Sequence, residues 1–342
     1  MLEVWANLDL YTPLSRVAEA AKRAERLGYD VLCVPDLVHD GIAAATLAAQ
    51  ATNRIRITWS ALIAFPRSPM TVAVAAWDLQ AFSKGRFSIG LGPQIRPMIR
   101  DRFSTPWSPP APRMREYVAS LRAIFDCWQN GTPLNFEGEH YRFTRMQAYT
   151  SPQPIEHPEI PIRLSGIGSN MTALAGEVAD GLNTHPTNAC PRYFEKHLRP
   201  NIERGAARTG RTAEEVHVVA NPLCATGRDT TEVLRQREEQ RQLLATLFST
   251  PSYWPALELY GWQERGHKLH EMVRAGHWKD LASVVDDEML DALVPTGTYG
   301  DLAVILSDRY SRHADAVTYP LPASPEDDEE AARAIARIRG EA

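Results

Sequence analysis

Strand-like and helix-like runs alternate eight times along this chain, and that alternation constrains its fold more than any other feature. Glu3 to Leu8 reads as a strand. Leu14 to Leu27 then places Leu14, Val17, Ala18, Ala21 and Ala24 on one helical face, with Gly28 as the stop. Val31-Leu32-Cys33-Val34 is apolar throughout, the pattern of a strand covered on both faces. A helix from Ala43 to Thr52, a strand from Ile55 to Ala64, a helix from about Met70 to Ser83 and a strand from Phe87 to Gly92 follow. Crossovers this long and helical force successive strands to pair in parallel. The pattern resumes at Ile160–Leu164, Gly181–Thr184, Val216–Ala220 and Ala314–Tyr319, with helices expected over Asn170–Ala179, Tyr193–Ala206 and the C-terminal end. Ser324 with Pro325 behind it suits the start of that last helix. Eight parallel strands close a barrel, so the expected architecture is a single (β/α)8 TIM barrel domain over residues 1–342.

Two stretches depart from the alternation. Residues 132–158 contain Leu134 to Phe143, which alternates like a hairpin. Residues 248–296 are rich in Trp, Tyr, His and Leu and follow a strand's C-terminal end, the face where barrels build their sites. They read either as a lid or substrate wall, or as a plain structural excursion. Lys and Arg total 37 against 42 Asp and Glu, a formal charge of -5 with no basic stripe, so no nucleic-acid partner is expected. No apolar run is long enough to span a membrane and no leader-like opening precedes the first strand. Cys33, Cys127, Cys190 and Cys224 are scattered without metal-type spacing. Reduced thiols in a cytoplasmic protein are the expectation.

Four segments, in order, resemble the luciferase-like monooxygenase superfamily, and especially its branch that uses the deazaflavin F420. They are Ala18–Asp30 before a strand leading to Asp36 and His39; Trp77–Gly92, with Ser83-Lys84-Gly85-Arg86 before Gly90-Leu91-Gly92; the hairpin Asn135–Tyr141; and Pro161–Gly168 continuing to Gly181. The resemblance runs from Leu2 to about Ala336 and implies a soluble redox enzyme, a homodimer, acting on a small molecule. The turn Gly166-Ile167-Gly168-Ser169-Asn170 ends a strand and opens a helix, so its backbone N–H groups suit an anion. In the superfamily this turn meets the cofactor phosphate; a glycine turn needed for sterics alone is the other reading. Ala61-Leu62-Ile63-Ala64 ends the third strand, where the superfamily often places a bulge or a non-proline cis peptide against the cofactor ring. Gly92 and Gln94 follow the fourth strand and are also expected at the ring. Relatives tend to carry polar side chains where this chain has Pro93 and Met98.

Reduction by hydride also needs a proton, and histidine is suited to give one near neutral pH. Asp36 and His39 follow the second strand, where the resemblance implies catalytic roles, and His185 follows the sixth, a place that also points it toward the catalytic end and makes it a third catalytic candidate. Asp36 capping the next helix and His39 in a surface loop is the alternative. Asp36, His39 and Asp40 have no further ligands at matching spacing, and no metal is expected. The function expected is an F420-dependent oxidoreductase moving hydride between the cofactor and a carbonyl, alcohol or activated alkene. An FMN-dependent monooxygenase and a non-catalytic cofactor-binding relative are the alternatives.

Overall fold

The structure is a computed structural model that describes residues 1–341. Its barrel strands are β1 (Glu3–Asn7), β2 (Val31–Val34), β3 (Arg56–Trp59), β4 (Phe87–Gly92), β5 (Ile162–Ser165), β6 (Gly181–Asn183), β7 (His217–Ala220) and β8 (Ala316–Thr318). Every neighbouring pair is parallel, and β8 returns to β1 through Glu3↔Ala316 to Trp5↔Thr318, which closes the barrel. Closure satisfies the backbone of every strand and leaves no open edge. The expected (β/α)8 barrel is thus the fold.

The third strand is not the single run Ile55–Ala64 expected from sequence. It breaks after Trp59, and Leu62–Ile63 resumes pairing with β4. Before the break Ile57 faces Phe87; after it Leu62 faces Leu91, so one extra residue sits on β3 and the register slips by one. That is a bulge in its effect: it restarts the inward-outward alternation. The Ser60–Ala61 peptide inside the break is cis. Gly90 is required opposite it, because a Cβ there would lie 1.8 Å from the Trp59 carbonyl oxygen.

The helices along the first half are α1 (Leu14–Leu27), α2 (Gly41–Ala51), α3 (Pro69–Phe82), α4 (Pro110–Asn130) and α5 (Ser169–Val178). Asp40 caps α2 by accepting from the Ala43 N–H, and Ser68 caps α3 ahead of Pro69. Arg86, in the Ser83–Arg86 signature, donates to the carbonyls of Ala49, Thr52 and Ile55 and so closes the C-terminal end of α2. The run expected at Tyr193–Ala206 includes a π-helical turn, Phe194–Leu198, before α6 (Arg199–Ala206).

After β7 the chain makes a long excursion through α7 (Thr230–Phe248), α8 (Pro255–Tyr260), α9 (Gln263–Arg274) and α10 (Asp287–Leu293). Its neck is the pairing of Ala225 with Thr296, held by Ala225 N–H to the Pro295 oxygen (3.0 Å) and Gly297 N–H to the Ala225 oxygen (3.1 Å). The excursion therefore begins ahead of residue 248 and includes α7. α11 (Tyr299–Tyr310) then leads to β8, and α12 (Asp328–Ile338) follows a turn whose first N–H groups Ser324 caps. The Phe136–Glu137 and Arg142–Phe143 hairpin is present. Among the described residues no helix is long and apolar enough to cross a membrane.

Inside the barrel, Trp5, Val31, Cys33, Val219 and Ala316 form a packed middle layer. Below it, at the strands' N-terminal ends, the interior is charged. Glu3 pairs with Arg56 (2.8 Å), accepts from Trp5 Nε1 (2.9 Å), and lies 3.5 Å from His217 Nε2. Burial alone would raise the Glu3 carboxyl, but bonds from His217 and Trp5 and the Arg56 charge outweigh it and hold it down to about 2. Arg163 is buried, its guanidinium 4.7 Å over the Trp5 ring, and donates to the His217 carbonyl (2.8 Å) and to Asn183 Oδ1 (2.8 Å).

Candidate functional site

The strands' C-terminal ends carry neutral polar groups, and these form the floor of a cavity of about 610 Å³. Asn7 Nδ2 and Thr318 Oγ1 both donate to Asn221 Oδ1 (2.9 Å each), and the Asn221 N–H donates to Thr184 Oγ1 (2.9 Å). Asn183 Nδ2 donates to Ser60 Oγ at 3.3 Å. Ser60, Thr184 and Asn221 reach the cavity itself. Asn221 Nδ2 has no protein partner among the described residues, so a donor remains for a ligand.

One wall is the broken third strand. Ala61 and Ile63 line the cavity together with Gly92, where an added Cβ would approach Ala61 Cβ to 3.2 Å. Small side chains and bare backbone make this wall flat enough for a planar ring. Leu62 and Ala64, expected beside them, point the other way and are wholly buried in the core. Past Gly92, Pro93 and Gln94 also line the cavity, with Gln94 at φ +56°. Met98 instead opens a π-helical turn beyond it.

The adjoining wall is the turn after β5. Ser165, Gly166 and Ile167 line the cavity, while Gly168, Ser169 and Asn170 carry the turn into α5 and are not among its lining residues. Gly168 has φ +88°, a left-handed conformation open to glycine. The first N–H groups of α5 have no acceptor within the helix, as at any helix start. Arg204 of α6 donates to the Ser169 carbonyl at 3.1 Å and sets a cation beside them.

His185 follows β6 and lines the cavity. Its ring packs against Tyr253 at a tilt of 31°, centroids 4.6 Å apart, and burial lowers its pKa to about 4. Thr250 to Tyr253, near the start of the expected 248–296 wall, line the cavity too, as do Trp107 and Pro110.

Asp36 and His39 are placed elsewhere. Asp36 is buried and accepts from Gly41 N–H (3.0 Å), Ile63 N–H (3.0 Å) and Arg67, whose Nη1 is 2.8 Å away. It ties the start of α2 and the end of the third strand together from behind the cavity wall, so its carboxylate is fully used in positioning. His39 lies on a separate shallow crevice with Leu8, Leu10, Pro35 and Val38. Neither residue lines the cavity. The mouth of a barrel is wide, and a place after a strand end does not decide whether a side chain faces the axis. The residues that do face it, Ser60, Thr184 and Asn221, stand out in the sequence as polar side chains ending apolar strands. Among the described residues no cluster of His, Cys, Asp or Glu is arranged to hold a metal ion.

Residues 2–316 match the family described as luciferase-like monooxygenase. The chain is 40% identical over 304 residues to the uncharacterized protein Rv1360 of Mycobacterium tuberculosis, covering 89% of each. Its fold superposes on the coenzyme F420 dependent tetrahydromethanopterin reductase from Methanopyrus kandleri with a TM-score of 0.80, at 21% identity over 99% of both chains. It superposes on an F420-dependent secondary alcohol dehydrogenase, in complex with an F420-acetone adduct, with a TM-score of 0.74, at 20% identity over 99% of this chain and 100% of the other.

Proposed function

The chain belongs to the luciferase-like monooxygenase family, and from that premise we propose that it is an F420-dependent oxidoreductase transferring hydride between the deazaflavin and a small organic substrate. One observation carries the reading: a single cavity is lined both by the broken third strand, Ala61 and Ile63 with Gly92, and by the glycine turn from Gly166 that adjoins it. A planar ring and a phosphate need those two surfaces at once. The cavity's volume, about 610 Å³, is that of an ordinary cofactor or substrate site. The names of the two superposed F420-dependent enzymes favour the deazaflavin over FMN.

When bound, a 5-deazaflavin would supply or accept the hydride. The protein's own part is positioning. Backbone N–H groups from Gly166 to Asn170 hold the phosphate, with Arg204 adding charge. Ala61, Ile63 and Gly92 press on the ring, and Gln94 reaches its edge. Asn221 and Thr184 orient polar atoms of the ligand from the floor, and Trp107 and Tyr253 keep water out. Asp36 fixes the ring wall without touching it, and His39 stands apart from the chemistry. We read the whole chain as one cytoplasmic domain, in keeping with its four free, buried cysteines. We read it also as a homodimer, because the adjacent helices α2 and α3 carry a single charged side chain between them, Asp78, and expose Val74 and Phe82.

Titration of the purified protein with F420 and with FMN, followed by fluorescence, tests the cofactor. Saturable F420 binding that a bulky Gly168 substitution weakens supports the reading. Tight FMN binding alone points to the monooxygenase chemistry, and binding of neither overturns the reading; cofactor binding without turnover of any carbonyl, alcohol or alkene leaves a non-catalytic cofactor-binding relative.

A further inference from the structure

The hydrogen-bond pattern of His185 carries more than its presence in the cavity. Its Nδ1 lies 2.8 Å from Thr187 Oγ1 and accepts from the Thr187 backbone N–H at 3.3 Å. A backbone N–H can only donate, so Nδ1 is the bare nitrogen and the hydroxyl also donates to it. The ring hydrogen is therefore on Nε2. The residue's own N–H donates to Asn188 Oδ1 at 2.8 Å, which completes a reciprocal cap on the turn Pro186–Asn188 and fixes the backbone that aims the ring. Tyr253, on the opposite face, holds the ring's tilt. Nε2 has no protein partner among the described residues.

We infer that His185 is a fixed, neutral hydrogen-bond donor whose Nε2–H recognises a carbonyl oxygen on the small molecule in the cavity, a specificity role distinct from proton delivery. The inference rests on the proposed function only in taking the cavity to be the substrate site. Burial is the sole cause of the lowered pKa of His185: no charged side chain acts on it, and the titratable neighbour packed on it, Tyr253, is itself pushed up by burial. A neutral imidazole gives up its Nε2 proton with great difficulty, so the ring orients and polarises an acceptor without protonating it.

The test begins on protein without cofactor, so it stands whichever cofactor binds. With ¹⁵N-histidine labelling, long-range ¹H–¹⁵N correlation from pH 5 to 8 should show His185 with a bare Nδ1 and a protonated Nε2 throughout. An Nδ1–H tautomer, or an imidazolium forming with a midpoint above pH 6, overturns the inference. Titration with 2-cyclohexenone should then shift the Nε2 resonance, and cyclohexene should not; equal shifts, or none, overturn it. His185→Gln, which keeps a donor, should hold cyclohexenone within about threefold of the parent affinity. His185→Phe, which keeps the packing on Tyr253, should lose about tenfold, the scale of one neutral hydrogen bond. Unchanged affinity in His185→Phe overturns the recognition role.

Discussion

The two ends of the barrel axis are polar in opposite ways. At the N-terminal end Glu3, Arg56, Arg163 and His217 form a charged plug in which the groups satisfy one another. At the C-terminal end Asn7, Ser60, Asn183, Asn221 and Thr318 are uncharged, and some of their bonding capacity is left over. The difference separates two tasks. Glu3, Arg56 and His217 are partly exposed, and the one buried charge of the set, Arg163, is the member whose removal is expensive. Neutral amides tolerate an absent ligand, because an amide in a wet cavity bonds water at little cost. Arg163, which donates to Asn183, joins the two ends.

The contrast can be broken most severely at that joint. Arg163→Ala should cost about 3 kcal/mol or more in unfolding free energy, because it empties space around Trp5 and strands the His217 carbonyl and the Asn183 oxygen. Urea unfolding measures it; a loss below about 1 kcal/mol would mean that the plug does not stabilise the barrel. Gly181→Ala comes next. Its Cβ would lie 2.5 Å from the Arg163 guanidinium, so the change should cost about 1–3 kcal/mol alone and much less when combined with Arg163→Ala. Additive losses in the double mutant would break the link between the two residues.

The other end should answer differently. Asn221→Leu should cost only about 1 kcal/mol in stability, since Asn7 and Thr318 can turn to water, while weakening ligand binding in the cavity about tenfold. If stability falls as far as for Arg163→Ala, the floor is a structural plug as well. A separate kind of effect is in pH dependence. Glu3 is held down to about 2 in the folded state against 4.5 when free, so its stabilisation is complete above pH 4.5 and is lost as pH falls toward 2. Glu3→Gln should flatten that limb of the stability profile. His185 is depressed from 6.5 to about 4, so the unfolded chain takes up its proton first and stability falls as pH drops from 6.5 toward 4. His185→Phe should remove that fall and leave the acid limb of Glu3 in place.

Sequence periodicity located all eight strands, because parallel strands buried on both faces are short apolar runs that helices and turns punctuate. It did not locate the break in the third strand. Ile55 to Ala64 is continuous in character, and the slip of one residue depends on Gly90 across the sheet, which makes room for the Trp59 carbonyl. The cavity was legible in part. Ala61, Ile63, Gly92, Gln94, Gly166, Ile167 and His185 line it, whereas Leu62 and Ala64 alternate away. Asp36 and His39 were assigned from position after a strand, but the orientation of a loop side chain is set by tertiary partners, here Arg67 and the Ile63 N–H, that no local pattern announces. The charged plug was missed for a related reason: Glu3, Arg163 and His217 look like solvent-facing positions until the barrel closes around them.

The excursion between β7 and α11 leaves and re-enters the barrel at adjacent points, with Ala225 bonded to Pro295 and Gly297 across the neck. A segment whose two ends meet at one neck can be exchanged without altering the distance those ends must span. The barrel and its ring wall are then a chassis, and the excursion is an interchangeable part whose turn after α7, Pro251 to Tyr253, supplies one side of the cavity. Grafting the corresponding segment of another barrel between Ala225 and Thr296 should alter what the cavity admits while the eight strands keep their register.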